Sequence, residues 1–231
     1  MSDRHQGQTG IRHLVHLRYL ECVLDGGCKL PFSHPLNLET LNLHVEALRE
    51  DITIRMPCEI FKMVKLRHLY SKDGIFTFHH SFEETGGKDF DRSSMLDNLQ
   101  TFHRICACEA CQSFLVRTPN LRKLGLHVWK TSELEGFPQL KYLRFRSLDI
   151  EEWNASEDQF LKLEVLLLEE CRNLKCIPID FANLNELQKI ALLFCTSSAK
   201  ETAREIKEEQ RNRNGDDDDD CLNLITYNNR Y

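Results

Sequence analysis

Between Leu163 and Pro178 the chain reads LEVLLLEECRNLKCIP, with apolar residues at Leu163, Leu166, Leu168, Cys171, Leu174 and Ile177. This spacing fits neither a long amphipathic helix nor an isolated alternating strand. It predicts a short strand from which Leu166 and Leu168 point one way, because successive strand side chains alternate. Cys171 stands where the chain turns off the strand, and its small, weakly polar side chain suits a buried corner. Leu174 and Ile177 return apolar groups to the same core, and Pro178 suits a non-helical, extended return.

A unit of this size cannot bury its own core, and the pattern recurs along the chain. Its strand positions are Leu17, Leu20 and Cys22; Leu38, Leu41 and Leu43; Leu66, Leu69 and Ser71; Leu99 and Phe102. They continue with Leu121, Leu124 and Leu126; Leu140, Leu143 and Phe145; Leu163, Leu166 and Leu168; and Leu187, Ile190 and Leu192. Ser71 weakens the third match, and the Leu99 unit is the poorest. The eight strand centres fall at 20, 41, 69, 102, 124, 143, 166 and 190, and five of the seven gaps lie between 19 and 24 residues. LxxLxL followed by Cys or Asn and a further Leu at this period is the leucine-rich repeat. The expected fold is therefore α/β: a right-handed leucine-rich-repeat solenoid, a curved horseshoe with short parallel strands on the concave face. Its convex segments should be helical, 3-10 or irregular.

The expected organisation is a lead-in over 1–16, an array of about eight repeats over 17–195, and a C-terminal region over 196–231. Ile54, Pro57, Ile60, Met63 and Leu66 recur every three residues, which predicts a helical or 3-10 turn before the third rung. The longest gap holds an insertion, 72–94, with Phe76, Phe78, His79, His80, Phe82 and the Gly86-Gly87 pair. A loop this long in a compact array is either functional or mobile. After Leu193, Ser197 or Ser198 is placed to cap a helix over about 199–211, with Glu201 completing a capping box. That helix, with a thin apolar face of Ala199, Ala203 and Ile206, is expected to shield the end of the array. Asp216 to Asp220 reads as a solvated acidic spacer with no fixed shell for a metal.

Charge excludes one class of partner. The net charge is -6, and the Asp216–Asp220 run carries five of the acids, leaving 31 acidic against 30 basic residues in the rest. The broad basic field of a nucleic-acid binder is missing. The first residues lack the apolar core of a secretory signal, and no stretch reaches the length of a membrane span. Ten cysteines in that setting read as reduced thiols of an intracellular, cytoplasmic protein, with peripheral membrane association left open. The sequon Asn154-Ala155-Ser156 then reads as a chance match.

The segments MPCEIFKMVKLRHLYS, TPNLRKLGLHV, FPQLKYLRF and FLKLEVLLLEECRNLKCIPIDFANLNELQKIALLFC resemble the repeat domain of plant intracellular nucleotide-binding, leucine-rich-repeat (NLR) receptors. Within that class they are most similar to late blight resistance proteins of the nightshade family. The resemblance covers nearly the whole chain. It implies a fragment or truncated product lacking the coiled-coil and nucleotide-binding modules of such receptors. It further implies a recognition domain that senses pathogen effectors directly or through guarded host proteins and restrains the nucleotide switch. Defence signalling and the hypersensitive response would follow from release. No GxxxxGK[ST] phosphate loop is present, so ATP or ADP is implied only for full-length relatives and no cofactor is expected here.

Cys106, Cys108 and Cys111 form CxCxxC with His103 nearby, but no second knuckle accompanies them, and packing in a convex turn is the favoured reading over a metal site. Hydrolase, dinucleotide and metalloprotease motifs are absent, so no enzyme is expected. The expected business surface is instead the concave face, onto which the strand positions between the core leucines project. For partner binding these are Tyr19, His68, Tyr70, Lys123, His127, Tyr142, Arg144, Arg146, Val165, Leu167, Glu169 and Lys189. Thr40, Asn42, His44, Thr101 and His103 share it. Tyr and Arg are enriched at binding hot spots. Tyr142, Arg144 and Arg146 with Lys123 and His127 thus form a basic patch suited to an acidic protein surface. Val165, Leu167, Ala191 and Leu193 are adjacent apolar rungs expected to meet a contact, such as the C-terminal helix or tail. The alternatives are a secreted leucine-rich-repeat inhibitor of a pathogen enzyme and a metal-binding protein using the cysteine cluster. The first should show a signal sequence, disulfide-bonded caps and LxGxIP repeats, none of which is found.

Overall fold

The computed structural model describes residues 16–25, 37–46, 52–77, 95–107, 114–129, 136–147, 149–214 and 222–227. Contacts group the chain into two units, Met1–Ile105 with Glu109–Asn120, and Cys106–Cys108 with Leu121–Tyr231. Each is a stack of parallel strands, and the fold is an α/β leucine-rich-repeat solenoid. All eight expected strand centres lie in strands.

In the first unit β1 (Tyr19–Asp25), β2 (Thr40–Glu46), β3 (Thr53–Arg55), β4 (His68–Ser71), β5 (Ile75–Thr77) and the start of β6 (Thr101–Ala107) follow in order. β1, β2, β4 and β6 pair parallel in sequence, with Leu20, Leu41, Leu69 and Phe102 in register. Leu41, Leu43, Leu69 and Phe102 are buried, as their alternation requires. The turn expected before the third rung is present as the 3-10 helix Cys58–Lys62, which buries Ile60 and Phe61.

The segment 72–94 is not simply an insertion. Its first residues enter the core: β5 pairs parallel with β3, and Phe76 of β5 pairs with Ile105 of β6. Phe76 is fully buried, 5.3 Å from the ring of Phe102, so it is packed rather than offered to a partner. β6 reaches two partners because Arg104 has φ of 64°, in the left-handed region. Thr101 and Phe102 pair with β4, and after that bend Ile105 pairs with β5. Phe78, His79, His80, Phe82 and the Gly86-Gly87 pair lie outside the described residues, as do residues 1–15 of the expected 1–16 lead-in.

The second unit runs β7 (Lys123–Trp129), β8 (Tyr142–Arg146), β9 (Val165–Glu169), β10 (Lys189–Leu193), helix α1 (Ser197–Asn214) and β11 (Asn223–Tyr227). Successive strands pair parallel with an uninterrupted register from β7 to β11. Three backbone devices repeat. The residue before each strand offers its carbonyl to two amides of the next turn: Arg122 O takes Lys141 and Tyr142, Lys141 O takes Glu164 and Val165, and Glu164 O takes Gln188 and Lys189. Ahead of each strand a tight turn bonds residues three apart, as in Leu140 to Phe137, Leu163 to Phe160 and Leu187 to Leu184. After β8, β9 and β10 the chain leaves through Ser147, Glu170 and Phe194, with φ of 56°, 58° and 57°. Between the layers, Trp153 sits edge-on to Phe145, Phe160 and Phe181 at centroid distances of 4.9, 6.3 and 5.1 Å. Leu166, Leu168, Cys171, Leu174 and Ile177 are all buried, with Cys171 Sγ donating to Glu169 O at the corner.

The C-terminal region differs from expectation in two ways. Helix α1 is capped by Thr196, whose Oγ1 accepts the Ala199 amide at 3.0 Å and donates to Leu174 O, rather than by Ser197 or Ser198. Ala199, Ala203, Ile206 and Gln210 form its buried face, and it packs on the 3-10 helix Ile179–Asn183 with Gln210 Nε2 donating to Leu184 O. The helix is therefore a connecting segment. Beyond it the chain adds a further rung, since β11 pairs with the full length of β10. Asp216–Asp220 lies outside the described residues.

Candidate protein-binding face

Parallel register turns the outward positions of the second unit into a grid of three rows. The first row runs Lys123, Tyr142, Val165, Lys189 and Asn223; the second Gly125, Arg144, Leu167, Ala191 and Ile225; the third His127, Arg146, Glu169, Leu193 and Tyr227. Neighbours along a row are one strand spacing apart, about 4.8 Å. The grid is divided by chemistry. β7 and β8 carry Lys123, Arg144, Arg146 and Tyr142, while β9 to β11 carry Val165, Leu167, Leu193, Ile225 and Tyr227, with Lys189 in the first row. Of the expected apolar rungs, the last meets the tail, with Ile225 beside Ala191 and Tyr227 beside Leu193.

The basic patch is internally balanced. Arg144 donates to Glu169, and Arg146 lies 3.8 Å from the same carboxylate and 3.7 Å from Glu170. Burial pushes the Glu169 carboxyl up, but the Arg144 hydrogen bond and the charges of Arg144, Arg146 and His127 outweigh it and hold Glu169 below the usual carboxylate range. Burial raises the Tyr142 phenol. The expectation that His127 lies open on the face is corrected: it is only 6% exposed, in register with Arg146, and its influence on the patch is through charge. Ala191 is buried too. Arg144, Arg146, Tyr142, Val165, Leu167, Glu169 and Lys189 are half-buried, which leaves part of each to a partner, and Lys123 is exposed.

The first unit presents a separate face. Tyr19, 54% exposed, donates to Glu21 at 2.5 Å, and the other oxygen of Glu21 lies 2.7 Å from His44 Nε2. That hydrogen bond from Tyr19, partly opposed by desolvation, holds Glu21 below its ordinary range, and it raises the Tyr19 phenol. His68 and Tyr70 are half-buried and stacked at 6.0 Å, with His68 Nδ1 3.2 Å from Thr101 Oγ1. Asn223, Ile225 and Tyr227 join the grid although the sequence pattern assigns them to a tail; the alternation in Leu222, Leu224 and Thr226 is the available sign of a strand there. Among the described residues no group of three His, Cys, Asp or Glu could hold a metal, and Cys108 and Cys111 of the cysteine cluster lie outside them.

The chain is 29% identical to the late blight resistance protein homolog R1B-11 of Solanum demissum over 85% of its own length. It is 25% identical to R1B-23 and 26% to R1B-16 of the same species, again over 85%. The chain is thus similar to late blight resistance protein homologs over most of its length. It spans only 16% to 22% of the length of these three relatives. No protein-family model matches it. No described helix is long and apolar enough to cross a membrane.

Proposed function

We propose that the chain is the protein-recognition part of a plant disease-resistance receptor, acting through binding and without catalysis. The observation that carries this reading is the register-locked grid of β7 to β11, where arginines and a tyrosine stand beside an apolar half. Homology to resistance proteins supports the biological setting, a cytoplasmic defence response. In such a receptor this face holds in a restrained state a nucleotide-binding module carried elsewhere, and a pathogen effector or a guarded host protein sensed by the array releases it. ATP or ADP belongs to that module. Release requires that the ligand favour the open state, because equal affinity for both states shifts nothing.

The test is capture of a separately expressed nucleotide-binding module from a resistance protein by the purified chain. Capture is expected to weaken on Lys123→Glu with Lys189→Glu, which changes charge at the face without disturbing the Arg144–Glu169 pair. Arg144→Glu with Arg146→Glu should weaken it further, with thermal melting reporting on folding. Undiminished capture by both folded double variants overturns the assignment of this face.

A further inference from the structure

On the other side of the second unit lies a groove of about 670 Å³, a volume in the range of ligand sites. Two neighbouring stretches form its length, 153–156 and 176–180, tied by a parallel bridge between Glu152 and Cys176. The floor is apolar, made by Trp153, Ile177, Pro178 and Ile179, the last 47% exposed despite its hydrophobicity. Asp180 and Glu205 stand on its rim, while no Lys or Arg among the described residues lines it. Both carboxylates are exposed, and neither is in an ion pair among the described residues.

Trp153 adds an independent observation. Its ring is only 3% exposed and fixed by three edge-on aromatic neighbours, yet its indole Nε1–H has no acceptor among the described residues. Buried donors are almost always paired, so an unpaired one beside a groove points to an acceptor supplied from outside. A backbone carbonyl of an extended chain is such an acceptor.

We propose that this groove binds an extended peptide segment that alternates apolar and basic residues. The wall from Cys176 to Asp180 matches about four residues of extended chain at about 3.3 Å each. Apolar side chains rest on the exposed Ile179, and a Lys or Arg lies between Asp180 and Glu205. The peptide carbonyl takes the Trp153 N–H as the floor adjusts. Charge complementarity decides the occupant: an acidic segment would place like charges together without a cation in the lining, and a purely apolar one would leave both carboxylates unanswered. This surface is distinct from the strand face, so its failure would leave the proposed function intact.

The full chain, labelled with nitrogen-15, tests the proposal by titration with Ac-Leu-Arg-Leu-Arg-NH2 and Ac-Leu-Glu-Leu-Glu-NH2. The basic peptide is expected to move the Trp153 indole N–H resonance downfield. Trp153→Phe identifies the resonance; should it fail to fold, the surface variant Asp180→Lys with Glu205→Lys serves instead. That variant should lose the response to the basic peptide and gain one to the acidic peptide. No saturable shift with the basic peptide, an equal shift with both peptides, or a response unchanged by the charge reversal would each overturn the proposal.

Discussion

Arg144 on β8 donates to the carboxylate of Glu169 on β9, while Arg146 two residues on approaches that carboxylate only to 3.8 Å. One acid thus serves two guanidinium groups, and it sets the charge that the strand face shows. Glu169→Gln keeps the shape and removes the charge. Because the folded pKa of Glu169 is lowered, its contribution to stability is present above the unfolded value of about 4.3 and is lost as pH falls through the lower folded value. Urea unfolding should show Glu169→Gln less stable than the parent at pH 7, with the difference closing in acid. A difference independent of pH would mean that the pair contributes through packing alone.

Adjacent residues on β9 should respond to very different degrees. Leu166 is fully buried, and Leu166→Ala is expected to lose about 2 to 5 kcal/mol by leaving a cavity. Leu167, on the open face, should lose roughly 1 kcal/mol or less on the same change. Denaturant midpoints at constant slope measure both, and partner capture should follow the second.

Helix α1 offers a test of its cap. Thr196→Ala removes the acceptor of the Ala199 amide and the donor to Leu174 O, and should cost about 1 kcal/mol. Ser197→Ala and Ser198→Ala, both at exposed positions, should stay within about 0.5 kcal/mol. Thermal melting of the three variants separates these expectations.

Gly74 is required for space. A Cβ there would stand 2.6 Å from Ile54 Cδ1 and 2.8 Å from Val45 Cγ2, and the Gly74 amide donates to the buried Ser71 hydroxyl at 2.9 Å. Gly74→Ala is expected to destabilise by about 1 to 3 kcal/mol through overpacking. Chemical denaturation of the full chain reads the change directly.

The rungs were legible in sequence because each one needs only the local LxxLxL spacing, and even Ser71 falls at a buried position, where Gly74 satisfies its hydroxyl. The rest depends on partners distant along the chain. β5 is three residues long and makes sense only beside β3 and Ile105. β11 follows an acidic run and has Cys221 and Thr226 at two of the three LxxLxL positions, keeping only Leu224, so its pairing with β10 could not be read from the repeat pattern. Three adjacent hydroxyl residues, Thr196, Ser197 and Ser198, could each cap α1, and the Leu174 carbonyl of a preceding turn holds the hydroxyl of the first. At the candidate face the charges themselves were legible. Their mutual neutralisation was not, because the strand pattern places Glu169 on its rung without showing its reach to Arg144. The buried His127 escaped for the same reason: alternation gives a side, not a depth.

The unbroken register from β7 to β11 constrains how such a surface can change over generations. Losing one residue inside β9 would send Val165 and Leu167 inward and Leu166 and Leu168 to solvent, since the strand repeat is two. Substitutions at the grid positions leave that frame alone. Lengthening or shortening is tolerated only in the segments between rungs, away from the face. A lineage can therefore rewrite what this surface recognises one letter at a time, with the spacing of the letters held fixed.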